Sequence, residues 1–181
     1  IRATNAILEF ESFEKSARII FDEARNLTKA KAGYIALLSE NGDENEVLFL
    51  DAGGSECTVD PSLPMPIRGL RAQAYHDKKA VYHNHFMESE HVKFMPKGHM
   101  VMQNVLFAPL IIEDKVVGVM GLANKASDFT DYDAKIARSF GEFAAVALKN
   151  SYNMDKLNTT ITTLEKTLHE VRTLQGLLPI C

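Results

Sequence analysis

The chain has 181 residues, 46% hydrophobic and 24% charged, and carries a formal net charge of -4. That is an ordinary globular composition, long enough for one stable core with an appendage, and its Lys and Arg are spread along the chain rather than gathered for nucleic acid. No apolar run reaches the ~18 residues of a membrane span, no signal peptide is visible, and Cys57 and Cys181 stand too far apart to imply a disulfide framework.

In chain order, Ile7, Phe10, Ala17, Ile20, Ala24 and Leu27 recur at helical spacing, which predicts an amphipathic helix ending near Ala30. Gly33 to Ser39 and Glu46 to Ala52 read as strands joined across Asn41-Gly42-Asp43, residues that tolerate positive φ. Gly53 to Pro66 carries three prolines, which no central strand would hold. A short helix over Ile67 to Lys78 and a short strand over Ala80 to Asn84 follow. His85 to Gln103 is a long loop rich in His and Met, and loops of that length in compact domains are usually functional. Asn104 to Ile112 and Lys115 to Ala123 form a second hairpin across Glu113-Asp114. The order of elements predicts an α+β fold, an antiparallel sheet with helices on its faces.

Thr130 and Asp133 have capping-box spacing and open the last helix. Phe140, Ala147, Met154, Ile161, Leu168 and Gln175 repeat every seven residues, and so do Ile136, Phe143, Asn150, Leu157, Leu164, Val171 and Leu178. This is an a/d seam over about six heptads, which predicts a coiled coil and a parallel homodimer. Met154, Leu157, Ile161, Leu164, Leu168, Val171 and Leu178 form the expected dimer seam. Asn150 either fixes register within the seam or marks where the helix leaves the body. The division expected is a globular domain over 1–150 and a signalling helix with the start of a linker over 151–181. The chain begins without Met and ends just past this rod, so both ends are expected to be cuts through a longer protein, with an output domain elsewhere in it.

Asn124-Lys125, Phe129 and Asp133 reproduce most of the NK…F…D(E) pattern of GAF domains, and the sequence resembles that family over about Phe10 to Asn150. The resemblance implies a central sheet of about six strands, a small-molecule pocket on one face, the first and last helices on the other, and dimerisation through those helices. It points to prokaryotic signalling proteins such as sensor histidine kinases, two-component systems or diguanylate cyclases, and the lack of a disulfide framework separately suggests a reducing cytoplasm. Nucleotide-binding members end the pattern Asp-Glu, whereas Ala134 follows Asp133 here. Read from their chemistry, Lys125 pairs with Asp133 across the turn, Thr130 and Asp133 cap the helix, and Phe129 plugs the core. Asn124, Lys125, Phe129, Thr130 and Asp133 are therefore expected to form a structural joint. Leu174 to Cys181 resembles a linker downstream of sensory domains, and Cys181 is expected to be an exposed free thiol.

The expected pocket has the 85–103 loop as its wall and the strand through Val105 and Phe107 as its floor, with Phe94 in the wall and His85, His99 and Asn104 as polar anchors. Five histidines fall between His76 and His99, yet no metal-ligand spacing accompanies them, and solvated or hydrogen-bonded roles are expected. Covalent bilin attachment, which the resemblance implies for phytochrome-like members, needs a Cys in the pocket region. Cys57 is expected outside it, in a structural or surface role, so no covalent chromophore is expected and the small-molecule ligand stays unnamed. No Ser/His/Asp order, phosphate loop or paired acid motif points to catalysis, and no enzyme activity is expected of this stretch. The functional expectation is a ligand-sensing, homodimerising regulatory domain. The alternatives are a dimerisation module with no ligand and a cyclic-nucleotide-binding domain.

Overall fold

The computed structural model describes residues 2–60 and 62–176, apart from the side chains of 2–12 and 176. Ile7, Phe10, Leu178 and Cys181 thus lie outside the described side chains. The elements are α1 (Arg2–Thr28), β1 (Ala32–Leu38), β2 (Asn45–Asp51), α2 (Leu70–Asp77), β3 (Val81–His83), β4 (Val105–Ile112), β5 (Lys115–Ala123) and α3 (Asp131–Gly176). Five antiparallel strands form one sheet in the order β2-β1-β5-β4-β3. About six were expected. Between β2 and α2 the described chain adds no strand: Pro66 forms an isolated bridge with Glu44, and Pro64 and Pro66 have no N–H to extend a ladder.

The two hairpins turn where the residue chemistry allows. Gly42 takes φ 79° between β1 and β2, and Glu113 and Asp114 take φ 48° and 63° between β4 and β5. Two consecutive left-handed residues match the twist of a tight antiparallel hairpin.

Alternation along the strands sorts the side chains into two cores. Ile35, Leu106, Ala108, Leu110, Met120 and Leu122 face α1 and α3, where they meet Phe13, Ala17, Phe21 and Ala24 of α1 and Ala137, Ala144, Ala145 and Leu148 of α3. Ala32, Ala36, Val105, Phe107, Val119 and Ala123 face the other way, toward α2 and the 85–103 loop. The buried face of α1 is rotated from the one read in the sequence. Leu27 is exposed, and Thr28 is fully buried in its place, which its hydroxyl permits by donating to the Ala24 carbonyl at 2.7 Å.

The helix α3 runs 46 residues, about 70 Å at ~1.5 Å per residue. Leu148 is its last fully buried residue. Phe140 and Ala147 pack on the body's own core, so the upstream heptad positions serve the domain. Asn150 is exposed just where burial ends. Beyond it Met154, Leu157, Ile161, Leu164, Leu168 and Val171 are all exposed on the described chain, between 43% and 58%. In the helical Thr-rich stretch Thr160, Thr162, Thr163 and Thr167 each donate a hydroxyl to the carbonyl four residues back, which satisfies the hydroxyls without strengthening the helix.

Candidate ligand site and helix joint

The register of the sheet explains a hollow on the face away from α1 and α3. Tyr34 pairs with Gly121, and Gly121 with Phe107; the adjacent row is Ala32, Ala123 and Val105. A Cβ on Gly121 would stand 2.6 Å from the Tyr34 ring, so only glycine lets that ring lie across the strand. Ala32 and Ala123 add one methyl each. Three small residues side by side leave a cavity of about 110 Å³, lined also by Cys57, Met65, Arg71, His99, Met100, Met102 and Asp51, whose carboxylate is paired with Arg25.

Two loops roof it. The Thr58 N–H and hydroxyl both donate to the Gly98 carbonyl, at 3.0 and 3.3 Å. Gly98 has φ 86°, and a Cβ there would stand 2.5 Å from the Thr58 oxygen. This seam draws the 53–66 loop over the sheet and brings Cys57 to the cavity. The expectation that no cysteine reaches the pocket region is corrected by this contact, which joins residues 40 positions apart and leaves no local signature.

One end of the cavity is polar. Arg71, on the first turn of α2, donates from Nη1 to the Tyr34 hydroxyl at 3.3 Å and from Nη2 to the Pro66 carbonyl. Its Nε is buried without a partner. Behind it Asn45 donates to the Tyr75 hydroxyl at 3.0 Å, and the Asn45 side-chain oxygen is buried unpaired. Burial pushes the Tyr75 phenol well above its ordinary range; Tyr34 adds to this, and Arg71 and Asn45 offset part of it.

A second assembly lies between the sheet and α3. Asn104 is buried, donating to the Lys125 and Ser127 carbonyls at 2.9 and 3.0 Å and accepting from the Lys125 N–H at 2.9 Å. Asn84 grips Phe129 from both sides, donating to its carbonyl and accepting from its N–H at 2.7 Å. A primary amide matches one N–H and one C=O of a turn at once, which explains asparagine at both places. Asn124 adopts φ 58°, as asparagine tolerates. Its side chain donates to the Val101 carbonyl and accepts from the Gln103 N–H, both at 2.9 Å.

Lys125 then meets Asp133 at 2.7 Å, with side chains 14% and 5% exposed. The Thr130 hydroxyl and N–H both donate to the same carboxylate, and the Asp133 N–H returns a bond to the Thr130 hydroxyl. Burial works to raise the Asp133 carboxyl, but the Lys125 and Thr130 hydrogen bonds outweigh it and hold the group below the usual carboxylate range. Phe129 is buried at the foot of α3.

Among the residues read as pocket candidates, His99, Val105 and Phe107 line the cavity. His85 and Asn104 instead border a separate polar cleft of about 290 Å³ with Asn84, Lys125 and Asp128. Phe94 borders neither; its ring packs near the Arg68 and Lys93 cations, against Gly69. Tyr34, Cys57 and Arg71 were missed, as was Asn84 in the joint. His83 and His91 meet edge to face at 6.3 Å. No group of three or more His, Cys, Asp or Glu placed to hold a metal occurs among the described residues. No helix there is long and apolar enough to cross a membrane.

Residues 11–149 match the family model of the GAF domain. No curated protein matches the sequence. Among solved structures, the GAF domain/HD domain protein of Geobacter sulfurreducens superposes with a TM-score of 0.64 at 13% identity, covering 79% of this chain and 95% of that one. The GAF domain of an Acinetobacter phosphoenolpyruvate-protein phosphotransferase gives 0.64 at 17%, covering 78% and 85%. The GAF-B domain of DevS from Mycobacterium smegmatis gives 0.58 at 21%, covering 79% and 97%. At these identities the likeness establishes the fold alone.

Proposed function

The chain belongs to the GAF domain family, and we propose that it is the small-molecule-sensing, homodimerising part of a larger cytoplasmic signalling protein. In this reading residues 1–150 sense a ligand, and 151–181 relay its presence through a parallel coiled coil to an output domain. No catalytic role is assigned to the fragment.

One observation carries the proposal: Asn124 bonds the 101–103 segment, which lies beside the cavity-lining Met100 and Met102, and is followed directly by Lys125, the partner of Asp133 at the foot of α3. A ligand that displaced this wall would pull on the joint from which the long helix starts. Coupling of this kind requires two states with different ligand affinity. The strand β4 offers a parallel route, since Val105 and Phe107 line the cavity while the Pro109 carbonyl lies under Gly141 of α3.

The half-exposed apolar stripe from Met154 to Val171 supports the dimer, because its heptad spacing suits a second copy of the same helix. Native mass spectrometry of the purified protein and a thermal-shift screen of nucleotides, haem, metals and small acids test the sensor. A stabilising ligand is expected, since binding to the folded state raises the melting temperature. An empty pocket and a flat screen leave only a dimerisation module. Disulfide cross-linking through cysteines placed at Leu157 and Leu164 tests the relay. Rates that do not change with any bound ligand reduce the rod to a tether.

A further inference from the structure

We propose that the cavity beneath the Thr58–Gly98 seam takes a small organic monocarboxylate, with Arg71 and Tyr34 binding the carboxylate and the floor of Ala32, Ala123, Val105 and Phe107 binding its apolar body. The inference rests on the sensing role proposed above and names the class of ligand at that site.

The argument begins with the charge of Arg71. Its two hydrogen bonds go to neutral acceptors, the Tyr34 hydroxyl and the Pro66 carbonyl, and none of the described carboxylates pairs with it. Its Nε is buried and unpartnered. A half-buried guanidinium beside an apolar cavity, holding one sheltered N–H with no acceptor, is an unfinished site, because burying a donor without a partner is costly. A carboxylate completes it. The planar fork of Arg matches two carboxylate oxygens at once, and a charge-assisted pair is stronger than any neutral contact the site offers. Tyr34 already accepts from Arg71, so its own hydroxyl hydrogen is left to donate to a further acceptor. The carboxylate supplies that too.

Size and lining set the remainder of the ligand. At about 110 Å³ the cavity is somewhat smaller than the ~150 Å³ apolar cavity that accepts benzene in another protein. The floor offers methyl groups, the Phe107 ring and the Met100 and Met102 thioethers, surfaces suited to a short branched or small aromatic chain.

The probes are isovalerate and benzoate, with isovaleramide and benzamide as neutral isosteres, on the full chain carrying Cys181→Ser. Cys57 lines the cavity and serves as a reporter. The acids are expected to raise the melting temperature and to slow alkylation of Cys57 by iodoacetamide. The amides should act at least tenfold more weakly. Arg71→Met should remove the response to the acids, Arg71→Lys should restore part of it, and Tyr34→Phe should weaken binding while leaving the apolar floor intact. If Arg71→Met fails to fold, Tyr34→Phe and the acid-to-amide ratio in the wild-type pocket still decide the matter. Equal action of acids and amides overturns the carboxylate assignment and leaves a sensor that reads shape. Inactive acids alongside another ligand from the broad screen overturn it in the same way. Inactive acids together with a flat broad screen overturn the sensing role as well.

Discussion

The two faces of one sheet are built to different standards in this protein. Toward α1 and α3 large aliphatic side chains and two helices close the face, and its buried polar groups Thr28, Asn104 and Asp133 are all hydrogen-bonded. Toward α2 the cover is one eight-residue helix and two loops, the side chains near the centre are small, and three buried polar atoms, on Asn45, Arg71 and His91, lack partners. The lesson is that the packed face holds the fold while the loose face keeps room and unspent hydrogen-bonding capacity. Close packing tolerates little volume change, and a hollow tolerates more.

That contrast can be broken by substitution. Phe21→Ala empties the packed face and should cost about 3–5 kcal/mol in a urea titration. Losing much less would show that α1 contributes little to the core. At the joint, Lys125→Met leaves the Asp133 carboxylate sheltered without its cation and should cost about 2–3 kcal/mol, a reduced figure because Lys125 is not fully buried. Its pH signature has a definite sign. The Asp133 carboxyl is depressed in the folded state, so its contribution is complete above the ordinary aspartate value of about 3.9 and falls away as pH drops below it. The loss of stability as pH falls below about 4 should be shallower in Lys125→Met than in the wild type.

The same substitution on opposite faces gives the sharpest comparison. Ala17→Val on the packed face should cost about 1–3 kcal/mol by overpacking, whereas Ala123→Val should stay within about 1 kcal/mol because the cavity receives the added methyls. Equal costs would mean the hollow closes in solution. Leu164→Asp should have the smallest effect on the body, about 0.5 kcal/mol or less, while sedimentation should shift from dimer to monomer. A variant that remained dimeric would place the dimer contact outside the seam.

Much of the fold could be read from residue pattern because the determining interactions are local. Asn41-Gly42 and Glu113-Asp114 announce their turns, and Thr130 with Asp133 announces the start of α3. The spacing also separates strand from helix. The site was legible only in part. His99, Val105 and Phe107 were reachable because they lie on a predicted strand or beside it. Tyr34 and Arg71 were not, since an aromatic in a strand and a basic residue in a short helix are unremarked alone. Their meeting depends on three strands being in register and on Gly121 being absent of bulk at the crossing. Asn104 was read as a pocket anchor, but its amide turns into the joint instead, and only its neighbour Val105 points to the cavity.

Gly141 has a mechanical consequence. A Cβ there would stand 2.9 Å from the Pro109 carbonyl, so here α3 and the sheet approach each other backbone to backbone. A point of close approach on a stiff rod acts as a fulcrum. From Gly141 the helix extends about 15 Å back to Asp131 and about 50 Å forward to Gly176, at ~1.5 Å per residue. Any tilt about that point moves the far end roughly three times as far as the joint, so a displacement of one bond length at Asp133 becomes a shift of several ångströms along the seam.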